Sequence, residues 1–436
     1  MRHIDTIDRR GFIAVGAAAL AIGQGRPQHP RVNPPPRPKP PEKKLAVVTT
    51  AYHYLSHAYH ICGRFFDGYL RGKKYHFPNW SIAGMFVDQK KANDLSRQLS
   101  IRHGFALKDT VRQSLTLGTQ DLAVDGVLLI AEHGDYPYNA RLQKLYPRHE
   151  LFQKIVEVFR QSKKVVPVFC DKHLSYDRGQ AAEMVETAHT MKFPLMAGSS
   201  LPITWRRPEL EVELGSRIER GLVVTRGEIE IFGFHGLEAL QCMMERRHGG
   251  ETGVRTVRCL LGQAVWDFLD RDRSWHDLLE AALSRSPSRN NGNMRENCSH
   301  FDPPPGRPTF LKGPIAFLIT YQDGTPALVL NLNGHVDDTT FAGKVNGKIE
   351  STLFYLPPPP GAAFLEALTM HVESFLETKK PAVPIERTLL TSVVLDAVLE
   401  SRLQDARPID LTKYKIRYEA PRDSGFVRGD YVETGK

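Results

Sequence analysis

The sequence predicts an α/β protein, with an N-terminal Rossmann-like doubly wound parallel sheet followed by a C-terminal α+β domain built on an open, largely antiparallel sheet. Three observations lead there. From Leu45 onward, short aliphatic runs alternate with amphipathic helical patterns, the signature of a parallel sheet covered by helices. Beyond about residue 200 the apolar segments lengthen and alternate, as in Ile315 to Tyr321 and Ala327 to Asn333, with Gly and Asn between them. A length of 436 residues exceeds the usual span of one domain. At 41% hydrophobic and 25% charged, the composition excludes a disordered, collagenous or multi-span membrane chain.

Residues 1–25 read as a twin-arginine (Tat) signal peptide: Arg9-Arg10-Gly11-Phe12-Ile13 is followed by an apolar stretch to Gly23, too short for a permanent membrane span. Ala19-Leu20-Ala21 is a candidate cleavage site. Residues 26–44 form a stiff linker, with eight prolines between 27 and 41. The first 44 residues carry nine Lys or Arg against three acids, so +6 of the net +9 sits there and +3 remains for the rest. The basic balance therefore belongs to a tail and points to no nucleic-acid partner. Periplasmic or exported localisation is expected.

Residues 45–200 form the Rossmann-like domain. Leu45 to Thr50, Ile82 to Asp88, Val124 to Ala131, Val165 to Cys170 and Leu195 to Gly198 are its strand candidates. Leu151, Phe152, Ile155, Val156 and Phe159 form one helical stripe. Ala181, Ala182, Met184, Val185 and Ala188 form another, after Ser175 or Asp177 as N-cap. Residues 201–418 form the second domain, which would hold substrate and carry any homo-oligomer contact through its sheet. Residues 284–308, poor in apolar periodicity, read as a surface loop. Two helices follow, lined by Phe364 to Leu376 and by Leu389 to Val398, and residues 419–436 are a tail. The five cysteines show no CxxC spacing, so neither a disulfide framework nor a zinc ribbon is indicated.

Val165 to Cys170 followed by Asp171-Lys172-His173-Leu174-Ser175 resembles the strand and Glu-Lys-Pro segment of the glucose-fructose oxidoreductase, inositol dehydrogenase and MocA (Gfo/Idh/MocA) family. Glu183-Met184-Val185 is similar to the core of its next helix. Gly233-Phe234-His235-Gly236-Leu237-Glu238 is similar to the family's Gly-x-His-x-x-Asp segment, and Glu386-Arg387-Thr388-Leu389-Leu390 to a helix start near its end. The resemblance spans Leu45 to Tyr418. It implies NAD or NADP, with NAD slightly favoured, and a small carbohydrate or polyol substrate. Lys172 and His235 take the catalytic positions, His235 as acid/base and Lys172 as its electrostatic partner. Thr49, Ser56, His57, Asp88, Glu132 and Asp171 are the expected cofactor contacts, and His133, His173 and Glu238 the expected substrate contacts. The chemistry agrees, because a carbinol releases hydride only as a base removes its hydroxyl proton.

Three departures stand beside the resemblance. Thr49-Thr50-Ala51-Tyr52-His53-Tyr54-Leu55-Ser56-His57 has no glycine where backbone would approach a pyrophosphate. His173 replaces the motif's proline, and Ile231 stands where an acid four residues before the acid/base histidine is usual. His53, His57 and His60 are spaced i, i+4 and i+7 and would share a helical face, but hydrogen bonding rather than metal ligation is the expected role. The leading reading is an exported NAD(P)-dependent oxidoreductase. The alternatives are an NAD-assisted glycosidase or lyase and a non-catalytic ligand-binding protein that has lost its cofactor.

Overall fold

The computed structural model describes residues 35–39, 41–71, 74–357 and 361–429. The twin-arginine segment and most of the proline-rich linker lie outside the described residues, as does the tail from residue 430. In chain order, the first half comprises β1 (Lys43–Thr49), α1 (His57–Asp67), the hairpin β2 (Tyr69–Arg71) and β3 (Lys74–His76), β4 (Trp80–Val87), α2 (Ser96–His103), β5 (Ala106–Lys108), α3 (Val111–Thr116), β6 (Gly126–Ile130), α4 (Arg148–Ser162), β7 (Val168–Asp171), α5 (Arg178–Met191) and β8 (Leu195–Gly198). Next come β9 (Trp205–Arg207), β10 (Ile218–Thr225), α6 (Ile231–Met244), β11 (Val254–Leu261), α7 (Gln263–Arg271), α8 (His276–Leu283) and α9 (Met294–Ser299). The chain closes with β12 (Ile315–Tyr321), β13 (Pro326–Asn331), β14 (Thr339–Val345), β15 (Lys348–Tyr355), α10 (Phe364–Thr378), α11 (Ile385–Leu403) and β16 (Ile409–Asp410).

The first sheet runs β5-β4-β1-β6-β7-β8, all parallel. Strand order reverses between β1 and β6, the switch point where α/β sheets of this topology open a crevice at their carboxyl edge. Period-two alternation explains why β1 is a continuous aliphatic run. Leu45 and Val47 enter the core shared with Leu128, Ile130 and α1, while Ala46 and Val48 enter the opposite core with Val127, Leu129 and α4. Asp177 caps α5 by accepting from Gln180 N at 2.9 Å.

The second sheet runs β16-β11-β12-β13-β10-β14-β15-β9 and is antiparallel except where β10 pairs with β13. One face carries α6 and α11, the other α7 and α8. Helix α11 joins the sheets: Thr388 Oγ1 donates to Ala197 O at 2.9 Å, and Ser392 Oγ accepts from Leu174 N at 3.2 Å. Arg387 and Glu245 pair beneath it, both buried. Helix α10 packs instead against α1 and the first sheet, where Trp80 Nε1 donates to Glu377 at 2.6 Å. The loop expected across residues 284–308 is broken by α9. Asn293 caps it by accepting from Arg295 N at 2.8 Å, a local signal that the missing apolar stripe concealed.

Candidate active site

The carboxyl edge of the first sheet carries a buried cluster of titratable groups, each delivered by a strand end or helix start. Lys172 follows β7, with its backbone in the left-handed region at φ +73° and bridged to Gly198 by hydrogen bonds of 3.1 and 3.0 Å. A non-glycine residue there is strained. The bend turns the side chain toward α6, and Lys172 Nζ lies 2.6 Å from His235 Nε2. The ammonium has no acceptor, so it donates, and the imidazole proton must sit on Nδ1, which is buried without a partner. Burial first, then the Lys172 charge, push the His235 pKa well below the ordinary histidine value. It is a neutral base at pH 7.

Glu132, at the end of β6, lies 3.6 Å from Lys172 Nζ and pairs at 2.5 Å with Arg148, the first residue of α4. Arg148 is fully buried; it also donates to His173 Nε2 at 3.1 Å and covers the Tyr146 ring. Burial and Arg148 keep His173 uncharged, its pKa well below the usual range. Glu230, at the start of α6, lies 3.8 Å from His173 and accepts from Lys144 N at 2.7 Å. Burial pushes its carboxyl up to about 8. His173 is held by Arg148 and packed on Phe234.

The first turn reaches the same cluster. His57 opens α1, and its Nδ1 lies 2.6 Å from Asp171 Oδ2. Asp171 is 1% exposed, and its Oδ1 has no partner. Burial alone would raise its pKa, yet His57, Lys172 and Arg148 hold it below the carboxylate range. The pairing places a proton on His57 Nδ1, which donates to the carboxylate. His133 stands between His53 and His57, at ring separations of 5.1 and 5.4 Å, with Nδ1 3.5 Å from His57 N. Burial, then His57 and His53, keep it neutral. His60, one turn into α1, lines a separate cavity with the α2 residues. Among the described residues, no group of three His, Cys, Asp or Glu side chains is disposed to hold a metal ion.

The other residues expected at the site make bonds within the fold. Thr49 Oγ1 donates to Ile130 O at 2.8 Å within the sheet, and Ser56 Oγ caps α1 by accepting from Tyr59 N at 3.1 Å. Asp88 accepts from Tyr136 Oη at 2.6 Å. Glu238, 2% exposed, accepts from Ser199 N and Thr391 Oγ1 at 3.2 and 2.9 Å, tying α6 to both β8 and α11. Those bonds hold elements together, and none reaches Lys172 or His235. Sequence reasoning missed Arg148 and Glu230. A cation in the first turn of a helix opposes the macrodipole, so Arg148 beside Pro147 was the legible sign of a buried partner.

No family model matches the sequence, and no curated protein matches it. Among solved structures, GenD2 from gentamicin A biosynthesis in complex with NAD aligns at a TM-score of 0.53 and 11% identity, over 86% of this chain and 99% of that one. The fold shared with it is a Rossmann-like parallel sheet followed by a mixed, mostly antiparallel sheet. Myo-inositol dehydrogenase from Lactobacillus casei, in complex with NAD(H) and myo-inositol, aligns at 0.50 and 11% identity, over 85% and 97%. At that identity the likeness is one of fold.

Two features fit a nicotinamide dinucleotide. Unpartnered buried polar atoms, Thr50 Oγ1, Asp171 Oδ1 and His235 Nδ1, belong to residues at the carboxyl edge or facing it. A cavity of about 180 Å³ lined by Ala51, His53, Gln89, Lys91 and Gly134 lies at the ends of β1 and β4. Gly134 has φ +124°, and a Cβ there would come within 2.6 Å of the Tyr136 ring. The phosphates would meet side chains such as Lys91 rather than a glycine turn.

Proposed function

We propose that this chain is an NAD(P)-dependent oxidoreductase acting on a carbohydrate or polyol, exported through the Tat pathway. The observation that carries it is the 2.6 Å Lys172–His235 contact at the carboxyl edge of the first sheet. Lys172, Asp171 and the cavity beside Lys91 would hold the dinucleotide, which when bound supplies hydride acceptance or donation. A substrate carbinol entering between Lys172 and His235 receives a hydrogen bond from the ammonium, which stabilises developing alkoxide charge. His235, neutral because it is buried beside a cation, takes the hydroxyl proton at Nε2. Glu132, braced by Arg148, balances the Lys172 charge. His57, oriented by Asp171, presents its ring edge to the crevice.

The test is calorimetric titration with NAD(H) and NADP(H), followed by turnover assays on a panel of cyclitols and sugars. No binding at millimolar dinucleotide and no dinucleotide retained after purification would refute the reading. One observation favours a second reading, that of a ligand-binding protein without cofactor: the first turn lacks glycine, and Asp88 is already bonded to Tyr136. That reading requires ligand binding to survive in the absence of any dinucleotide.

A further inference from the structure

A second cavity lies apart from the Lys172–His235 crevice. It measures about 510 Å³ and lies between α1 and α2 on one face of the first sheet, with the β2–β3 hairpin at its edge. The size is that of a small-molecule pocket, about 300–1,000 Å³. Its walls are aromatic: Tyr52, Tyr54, Tyr59, Phe66, Tyr69 and Tyr75 all line it. Tyr54 is 60% exposed and Tyr75 is 38% exposed, so rings that would ordinarily be covered are presented to solvent.

Charge decides what kind of ligand suits these walls. Arg64 and Arg102 line the cavity, and so do Asp67 and Glu366. The signs balance, with Arg64 3.5 Å from Glu366 and Arg102 3.9 Å from Asp67. His60 adds no charge, because burial, then Arg64 and His57, lower its pKa to about 4. A phosphate or carboxylate would meet two carboxylates, and a cation would meet two guanidinium groups. The hydroxyls of Tyr54 and Tyr59 and the Gln98 amide make no hydrogen bond with any described residue, and His103 Nε2 is buried without a partner. Flat apolar faces, idle neutral donors and acceptors, and balanced charge together match a neutral polyhydroxylated ring, whose C–H face stacks on aromatics while its hydroxyls bond at the rim.

We propose that this cavity is a carbohydrate-binding site separate from the Lys172–His235 crevice. It rests on the geometry of α1 and α2, not on the oxidoreductase reading. Tyr52 lines both this cavity and the one beside Lys91.

The experiment is saturation-transfer NMR on the full chain. The probes are maltotriose, cellotriose and xylotriose, with sialyllactose and a chitosan trimer as anionic and cationic controls. At least one neutral trisaccharide should bind saturably, with transfer strongest at ring C–H protons, and both charged probes should bind more weakly. Tyr59→Ala and Tyr54→Ala should each weaken that binding by about tenfold, the size of a lost aromatic contact, while Tyr59→Phe should weaken it less. Lys172→Ala should leave it unchanged. Absence of saturable binding by every neutral probe overturns the proposal. So does binding lost in Lys172→Ala but untouched by both tyrosine replacements, which would place the glycan in the crevice alone. Failure of dinucleotide binding leaves this result unaffected.

Discussion

His57 Nδ1 and Asp171 Oδ2 lie 2.6 Å apart, although 114 residues separate them in sequence. A histidine that opens the helix after β1 is thus locked to the carboxylate that closes β7, across the switch point of the sheet. Removing the ring leaves a carboxylate that is 1% exposed without its partner. His57→Ala should therefore cost about 3 kcal/mol, read by denaturant unfolding, and His57→Gln, which keeps a donor, should cost less. Long-range nitrogen NMR should find a proton on His57 Nδ1; an Nδ1 lacking its proton would break the assignment.

His235→Asn should lower turnover about 100-fold or more, with dinucleotide affinity close to that of the parent. Lys172→Ala should reduce both turnover and affinity, because its charge meets bound groups before and during the reaction. Steady-state kinetics with direct binding measurements separate the two patterns. Unchanged activity in both variants would remove the acid/base assignment.

Arg148→Ala should be among the most destabilising substitutions in the first half, at about 3 kcal/mol, because buried Glu132 would lose its close partner and keep only Lys172, 3.6 Å away. Arg148→Lys should recover little. One ammonium does not reproduce a fork that serves both Glu132 and His173. A melting curve for Arg148→Lys that matches the parent would contradict this account.

Stability should fall on both sides of a middle pH. His133, His173 and His235 titrate well below their unfolded value of about 6.5. Below that pH the unfolded chain binds more protons than the fold, so acidification destabilises. Glu230 has the opposite sign: its folded pKa of about 8 lies above the ordinary 4.5. Its contribution is complete below 4.5 and is lost as pH rises through 8. Glu230→Gln should therefore melt higher relative to the parent at pH 8.5 than at pH 5, in paired calorimetric scans. Equal offsets at the two pH values would mean that Glu230 is ionised in the fold.

A fusion of residues 1–44 to a folded reporter should be exported in a bacterium with an intact Tat system and retained when Arg9 and Arg10 are replaced by lysine. Retention of the unaltered fusion would remove the export proposal.

Much of the fold was legible because central parallel strands are aliphatic on both faces and their helices carry a clean stripe. β1 and β6, with the α4 and α5 faces, follow directly from that pattern. The three-residue β5, Ala106–Lys108, escaped notice because a strand that short at a sheet edge carries no period. The site was legible in part. Lys172 and His235, 63 residues apart, could be paired only through resemblance, and the structure sets them 2.6 Å apart. Arg148 and Glu230 were not legible, since burial of a charge is a tertiary fact. Glu238 matched a motif position, yet its carboxylate serves Ser199 and Thr391.

Helix α10 covers Leu45, Val47 and Ile82 of the first sheet with Leu365, Leu368, Val372 and Leu376, side chains that enter the chain more than 270 residues after β4 ends. On a ribosome, the leading half therefore emerges with one apolar face covered only in part, by α1, and keeps it so until most of the polypeptide has been made. Such late closure favours slow maturation and invites chaperone capture of the incomplete chain. It also means that a fragment cut near residue 200 would behave as a sticky half-molecule, and that a break in the backbone is better tolerated at a surface turn within the second sheet than at the apparent border between the two.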